Sequence, residues 1–233
     1  MKAVFKRELK AYFSTPIGFL VVAAYFFFLG LYFTVVYSAG SPEVSMIIMA
    51  TSSIVVFTIP IITMRLMSED RRQKVDQALL TAPVKLSGIV FGKFFAALSL
   101  FAICFTPTLI FEIIVATKVE VNFVSYLYSL LGMLLLGSAL ISIGMFISSL
   151  TESPIVSAIL SLVINFVVLY LSTFASMIDV EWITKILNKA AFITVFENFG
   201  NNIFSVADII YFLSIAAAFI FLTVRSLEKR RWS

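Results

Sequence analysis

The chain has 233 residues and a net charge of +4, with 61% of its residues hydrophobic and 13% charged. An ordinary globular chain is about 45–50% apolar and about 25% charged, so a water-soluble fold of this length could not bury so much apolar surface. Lipid must be its solvent, which excludes a cytosolic enzyme, a secreted domain and a nucleic-acid binder.

In chain order, residues 1–15 predict an interfacial helix. Phe5, Leu9 and Tyr12 recur at helical spacing on one face, and Lys2, Lys6, Arg7 and Lys10 occupy the rest. Pro16 marks the bend into the first span. The alternative is a basic anchor with no further role. A span needs about 20 mainly apolar residues. Six stretches meet this, at about 16–38, 44–66, 87–117, 123–150, 154–178 and 206–226. The third carries Lys93 and Glu112 near its ends. The sixth has only 16 charge-free residues between Asp208 and Arg225, so it must use its flanks. The first is too long for the apolar core of a cleaved signal peptide.

An even number of spans puts both termini on one side. Fourteen of the 17 basic residues lie before the first span, between the second and third, or after the start of the tail at Arg225. By the positive-inside rule both termini are cytoplasmic. The expected fold is an all-α integral membrane protein of the cell's inner or plasma membrane, a single domain over residues 1–233.

Two connections stand out. Over residues 68–85, Ser68 is placed to cap a helix with Glu69 and Asp70 in its first turn. Val75, Ala78, Leu79 and Ala82 form an apolar face, Arg71, Arg72, Lys74 and Gln77 the opposite one, and Pro83 closes the helix. Such an amphipathic helix can dock into a groove on a cytoplasmic partner; the alternative is a charged interfacial loop. Residues 179–205 predict an outer hairpin. Ile183, Ile186, Leu187 and Ala190 make a stripe, and Asn198, Gly200, Asn201 and Asn202 break the chain. Neither piece is long enough to span, so Glu197 to Asn202 are expected to pack against spans or a second protomer.

Chemistry is sparse. The chain has no histidine and one cysteine, Cys104 in an apolar run, which removes imidazole catalysis and internal disulfides. Gly88 to Phe94 lacks the spacing and the hydroxyl residue of a phosphate loop, and Lys93 reads as a base snorkelling at the end of its span. No nucleophile, base and metal set converges, so no catalytic residue, metal site or cofactor is expected in this chain. Glu112 lies about 36 Å along its helix from Gly88, near the outer interface. It is either a contact for substrate or proton, or a hydrated interfacial residue. Asn165, mid-way along the fifth span, is either an interhelical hydrogen bond or a polar point on a pathway. The fourth span holds Gly132, Gly137, Ser138, Ser142, Gly144 and Ser148, whose small side chains allow close helix packing.

Three stretches together resemble the membrane subunits of ABC-2 type ABC transporters. KRELKAYFSTPIGF, Lys6 to Phe19, is similar to the family's elbow helix and first span. MRLMSEDRRQKVDQALLTAPVKLSGIVFGKFFAA, Met64 to Ala97, is similar to its acidic pair, basic residues, LLTxPV core and GKF sequence. FENFGNNIFSVADIIYFLSIAAAFIFLTVRSLEKRRW, Phe196 to Trp232, resembles the branch of gliding-motility-associated permeases. Many members carry Gly-Thr after the basic residues, where this chain has Lys74-Val75.

The resemblance implies an exporter built from two permease subunits, as a homodimer or related heterodimer, and two separate ABC ATPase subunits that bind ATP and Mg. It implies that Ser68 to Pro83 includes the coupling helix touching the ATPase, through Glu69, Asp70, Arg71, Arg72, Val75, Leu79, Leu80 and Pro83. The first, second and fifth spans would then surround the path, with Glu112 and Asn165 as pathway candidates. Phe196, Glu197, Asn198, Phe199 and Gly200 would form an outer gate. An extracytoplasmic accessory protein is a further partner the family allows. The competing readings are a carrier or channel that runs without ATP, and a non-transporting membrane scaffold with the same fold.

Overall fold

The computed structural model describes residues 1–40, 43–74, 85–120, 122–175, 177, 184, 187–188, 191–203 and 205–231. Among these residues the regular structure is helical throughout.

Helix α1, Lys2–Ser14, ends at Thr15, whose backbone is extended at φ −116° and ψ 154°. A residue before proline is pushed out of the helical region, and Pro16 then starts α2, Pro16–Ser38, at its first position. The expected second span is broken into α3, Val44–Ala50, and α4, Ser52–Thr63. The Thr51 hydroxyl at the break donates back to Ile48 O at 2.7 Å, a local bond that competes with the helical ladder. Helix α5, Ser68–Arg72, follows after a turn. The expected third span is also broken, into α6, Leu86–Cys104, and α7, Thr106–Ala116. Pro107 lacks the N–H that would carry the ladder across Phe105.

Helix α8, Phe123–Leu150, is capped by the Asn122 side chain, which accepts from Ser125 N at 3.3 Å. It is followed by α9, Pro154–Leu169, and α10, Leu171–Ala175. Then come α11, Phe192–Gly200, and α12, Val206–Arg231.

Among the described residues five helical stretches are long and apolar enough to cross a membrane: Pro16–Ser38, Ser52–Arg72, Leu86–Ala116, Phe123–Leu150 and Val206–Arg230. The expected fifth span over 154–178 is, where described, the 16-residue α9 and the short α10, separated at Tyr170. At 1.5 Å per residue α9 reaches about 24 Å, short of the roughly 30 Å hydrocarbon core.

Helix α8 is the centre of the bundle and packs against α12, α9, α11, α4, α6 and α3. Its small residues permit this. A Cβ on Gly132 would lie 2.6 Å from Phe199 Cβ, and one on Gly144 would lie 2.9 Å from Ser161 Oγ while overlapping Thr63 Oγ1. The phenylalanines divide between two roles: Phe101 and Phe212 are fully buried, whereas Phe27 and Phe221 point outward from α2 and α12.

The helix ends sort into two sets. α1, α5, the start of α6 and the ends of α8 and α12 meet at one end, called here the terminal end. The α2–α3 and α7–α8 turns and the end of α11 meet at the opposite end.

Candidate functional site: a charge cluster at the terminal end

Lys93, in the second turn of α6, is completely buried. Its ammonium lies 3.0 Å from Glu8 Oε1 on α1 and 2.8 Å from Asp70 Oδ2 on α5. This corrects the expectation that Lys93 snorkels: its charge is held by two carboxylates from separate elements instead of by water. Arg7 closes the cluster, 2.6 Å from Glu8 Oε1 and 3.5 Å from Asp70 Oδ2. Burial alone would lower the Arg7 guanidinium, but its bonds to Glu8 and Asp70 raise it overall. The cluster can form because α1 lies close on α6. A Cβ on Gly92 would fall 3.0 Å from Val4 Cβ, so glycine there admits the helix.

The face α1 turns inward is therefore Val4, Glu8 and Tyr12, not simply an apolar stripe. The buried Tyr12 hydroxyl donates to Ile62 O at 2.7 Å, tying α1 to α4. Burial, with the charge of Glu8, pushes this phenol well above its ordinary range, so it remains a donor.

The turn between α4 and α5 is held by α8. Ser148 Oγ accepts from Met67 N and Ser68 N, each at 3.1 Å, and donates to Met64 O at 3.1 Å. Ser68 does not cap the helix as expected. Its hydroxyl donates to Met64 O, because the chain arrives already coiled and that carbonyl is the acceptor within reach.

The predicted coupling residues diverge in what they touch. Glu69 pairs with Arg65, whose Nη1 donates to Thr15 Oγ1 at 3.0 Å. Asp70 belongs to the Lys93 cluster. Arg71 spans to the α8–α9 turn, 2.7 Å from Glu152 Oε1 and 3.2 Å from Leu150 O. Arg72 is exposed and makes no ion pair or hydrogen bond among the described residues. Lys74 sits at φ +57°, a left-handed conformation that costs a non-glycine residue about 1–2 kcal/mol. This is the position at which the resembled pattern has glycine. Val75, Leu79, Leu80 and Pro83 lie outside the described residues, as does most of the stripe from Ile183 to Ala190.

The pathway candidates are not brought together with this cluster. Asn165 is fully buried on α9, which packs on α4 and α8, and neither of its amide atoms has a hydrogen-bond partner. The interhelical bond is thus not made among the described residues. Glu112 lies on α7 at the opposite end, where it is 5% exposed and lines a cavity open at that end.

Of the five outer-hairpin residues, Phe196 and Phe199 are buried inside this protomer and Glu197 is exposed. Phe199 wedges over Gly132, and Asn198 Nδ2 donates to Asp208 Oδ2 at 2.9 Å. A Cβ on Gly200 would fall 2.6 Å from the Met49 side chain. The packing expected of Glu197 to Asn202 is therefore carried by Phe199 and Gly200.

A family model for the ABC-2 type transporter matches residues 1–186. The chain belongs to the ABC-2 type transporter family. It is a membrane permease component of an ABC transporter, a transport component and not itself the catalyst. A comparison with curated proteins returned no match. The matched region includes the whole charge cluster of this ABC-2 permease and stops before Phe196–Trp232, the segment carrying the branch resemblance. Glu8 and Lys93 were missed in sequence because they are 85 positions apart and each sits among residues with an ordinary interfacial explanation.

Proposed function

We propose that this ABC-2 permease is the membrane half of an ATP-driven exporter, powered by a separate ATPase subunit that docks at the terminal end. The observation that carries this reading is the buried Lys93 cluster. It joins the interfacial helix, the segment after the second span and the third span into one body, so a push on that segment is delivered to two spans together. The concentration of basic residues at this end supports a cytoplasmic orientation of both termini, in the inner or plasma membrane. Six spans follow if the segment after α9 completes a fifth crossing, and an even count agrees with both termini meeting at one end. ATP and Mg belong to the partner in this reading, and a second permease subunit, identical or related, completes the path. The Phe196–Trp232 resemblance supports the gliding-motility-associated branch.

The residues divide into internal and outward-facing ones. Arg71 is engaged by Glu152 and Leu150 O, whereas Arg72 is exposed and is the better contact for the ATPase. Arg72→Glu should leave the folded yield and thermal stability near wild type. It should weaken ATPase association about tenfold or more, since a like-charge juxtaposition costs several kcal/mol and 1.4 kcal/mol is about tenfold. Transport-coupled ATP hydrolysis measured in proteoliposomes checks this; wild-type rates and association in the variant would overturn the docking site.

A further inference from the structure

At the end opposite the charge cluster, a cavity of about 350 Å³ opens between the α2–α3 turn, α7 and the start of α8. Among the described residues three carboxylates line it, Glu43, Glu112 and Glu120, with Asn122, Ser125 and Tyr126 among its polar groups. No lysine or arginine among the described residues lines it. Glu112 is 5% exposed yet has no ion-pair or hydrogen-bond partner among the described residues. The nearby hydroxyls do not serve it. Thr108 Oγ1 donates to Phe105 O at 2.6 Å, so at its 3.0 Å contact with Tyr126 the tyrosine is the donor, and that proton is used too.

We propose that this cavity binds an organic ammonium group, with Glu112 as its buried counter-charge. A largely covered carboxylate without a protein partner leaves its charge to be met from the cavity, and a cation with N–H donors meets it best. Three like charges around one concavity raise the local concentration of cations. A bare divalent ion is the poorer fit, because among the described residues no three carboxylates converge as a metal-binding group. An ammonium brings several N–H donors, which the Glu112 carboxylate and the Ser125 and Asn122 oxygens can accept. The volume lies at the small end of ligand pockets, roughly 300–1,000 Å³, which suits a small amine or one lipid headgroup and not a folded peptide. The site stands independently of how the permease is powered.

The test uses the full chain, with whatever subunits copurify, in nanodiscs of phosphatidylglycerol alone. Ethanolamine is titrated by calorimetry, and phosphatidylethanolamine is added to a second set of discs and its retention read by native mass spectrometry. The expected result is binding of one of these probes, weakened about tenfold or more by Glu112→Gln, since losing a charged hydrogen bond is worth at least that factor. Ethanolamine binding identifies a soluble amine as the source; retention of the lipid alone identifies a headgroup. Glu120→Gln, at an exposed position where folding is not at stake, should weaken binding by a smaller factor and decides the matter if the Glu112 variant does not fold. Equal behaviour of wild type and variants toward both probes would overturn the proposal. So would Glu112-dependent binding of magnesium chloride with no amine or lipid binding.

Discussion

Lys93→Met is expected to destabilise the permease by about 3 kcal/mol, the lower end of the range for removing one partner from a buried ion pair. The side chain is fully buried and its ammonium contacts Glu8 and Asp70 at 3.0 and 2.8 Å. Methionine fills the same volume, so the loss is electrostatic: two carboxylates, with side chains only 13% and 19% exposed, would share a space from which the cation has gone. Arg7 remains near both, which keeps the loss from the upper end of the range. The triple variant Lys93→Met, Glu8→Gln, Asp70→Asn removes the charges together and should recover most of the stability, because replacing a whole buried ion pair is often neutral. Thermal denaturation of the three proteins in nanodiscs checks this. A single variant as stable as wild type would mean that Lys93 contributes nothing as a hub.

Gly144→Ala should cost about 1–3 kcal/mol, the usual penalty for adding a methyl to a closed contact. Its Cβ would overlap Thr63 Oγ1 on α4 and sit 2.9 Å from Ser161 Oγ on α9, at the crossing of three helices. Neither neighbour is the end of a long flexible chain, so the helices themselves must separate. Gly30→Ala is the matched control. Nothing lies within 4 Å of its added Cβ, and alanine is the better helix former by about 0.5–1 kcal/mol, so that variant should be neutral or slightly stabilised. Opposite signs in one denaturation assay would show that α8 is pinned by steric fit. A neutral Gly144→Ala would mean the crossing is looser than the structure has it.

The bundle was largely legible in the amino-acid order because lipid solvation imposes a simple pattern: long apolar runs, basic residues gathered between particular runs, and small residues along the most crowded helix. The breaks at Thr51 and Phe105 were less legible. An apolar run looks the same whether its ladder is continuous or interrupted, and only Pro107 signalled one of the two. The candidate site was harder still. A lysine at the end of a span has one appearance in sequence and two physical fates, and which applies depends on whether another element brings a carboxylate. Glu8 does so from α1, but among Lys6, Arg7 and Lys10 it reads as part of a basic surface. Ser68 carried a valid capping signal, yet its hydroxyl donates to Met64 O of the incoming turn. Glu112 was recognised as unusual; that it lines a cavity without a partner among the described residues depends on where Thr108 and Tyr126 place their protons, which no spacing rule contains.

That this permease works as part of an ATP-driven complex is tested most directly by purifying the tagged chain from its native membrane and identifying by mass spectrometry what accompanies it. An ATP-binding subunit is expected in equal amount to the permease, retained by wild type and depleted from Arg72→Glu. Recovery of the chain alone, in detergents that keep other ABC complexes intact, would contradict it.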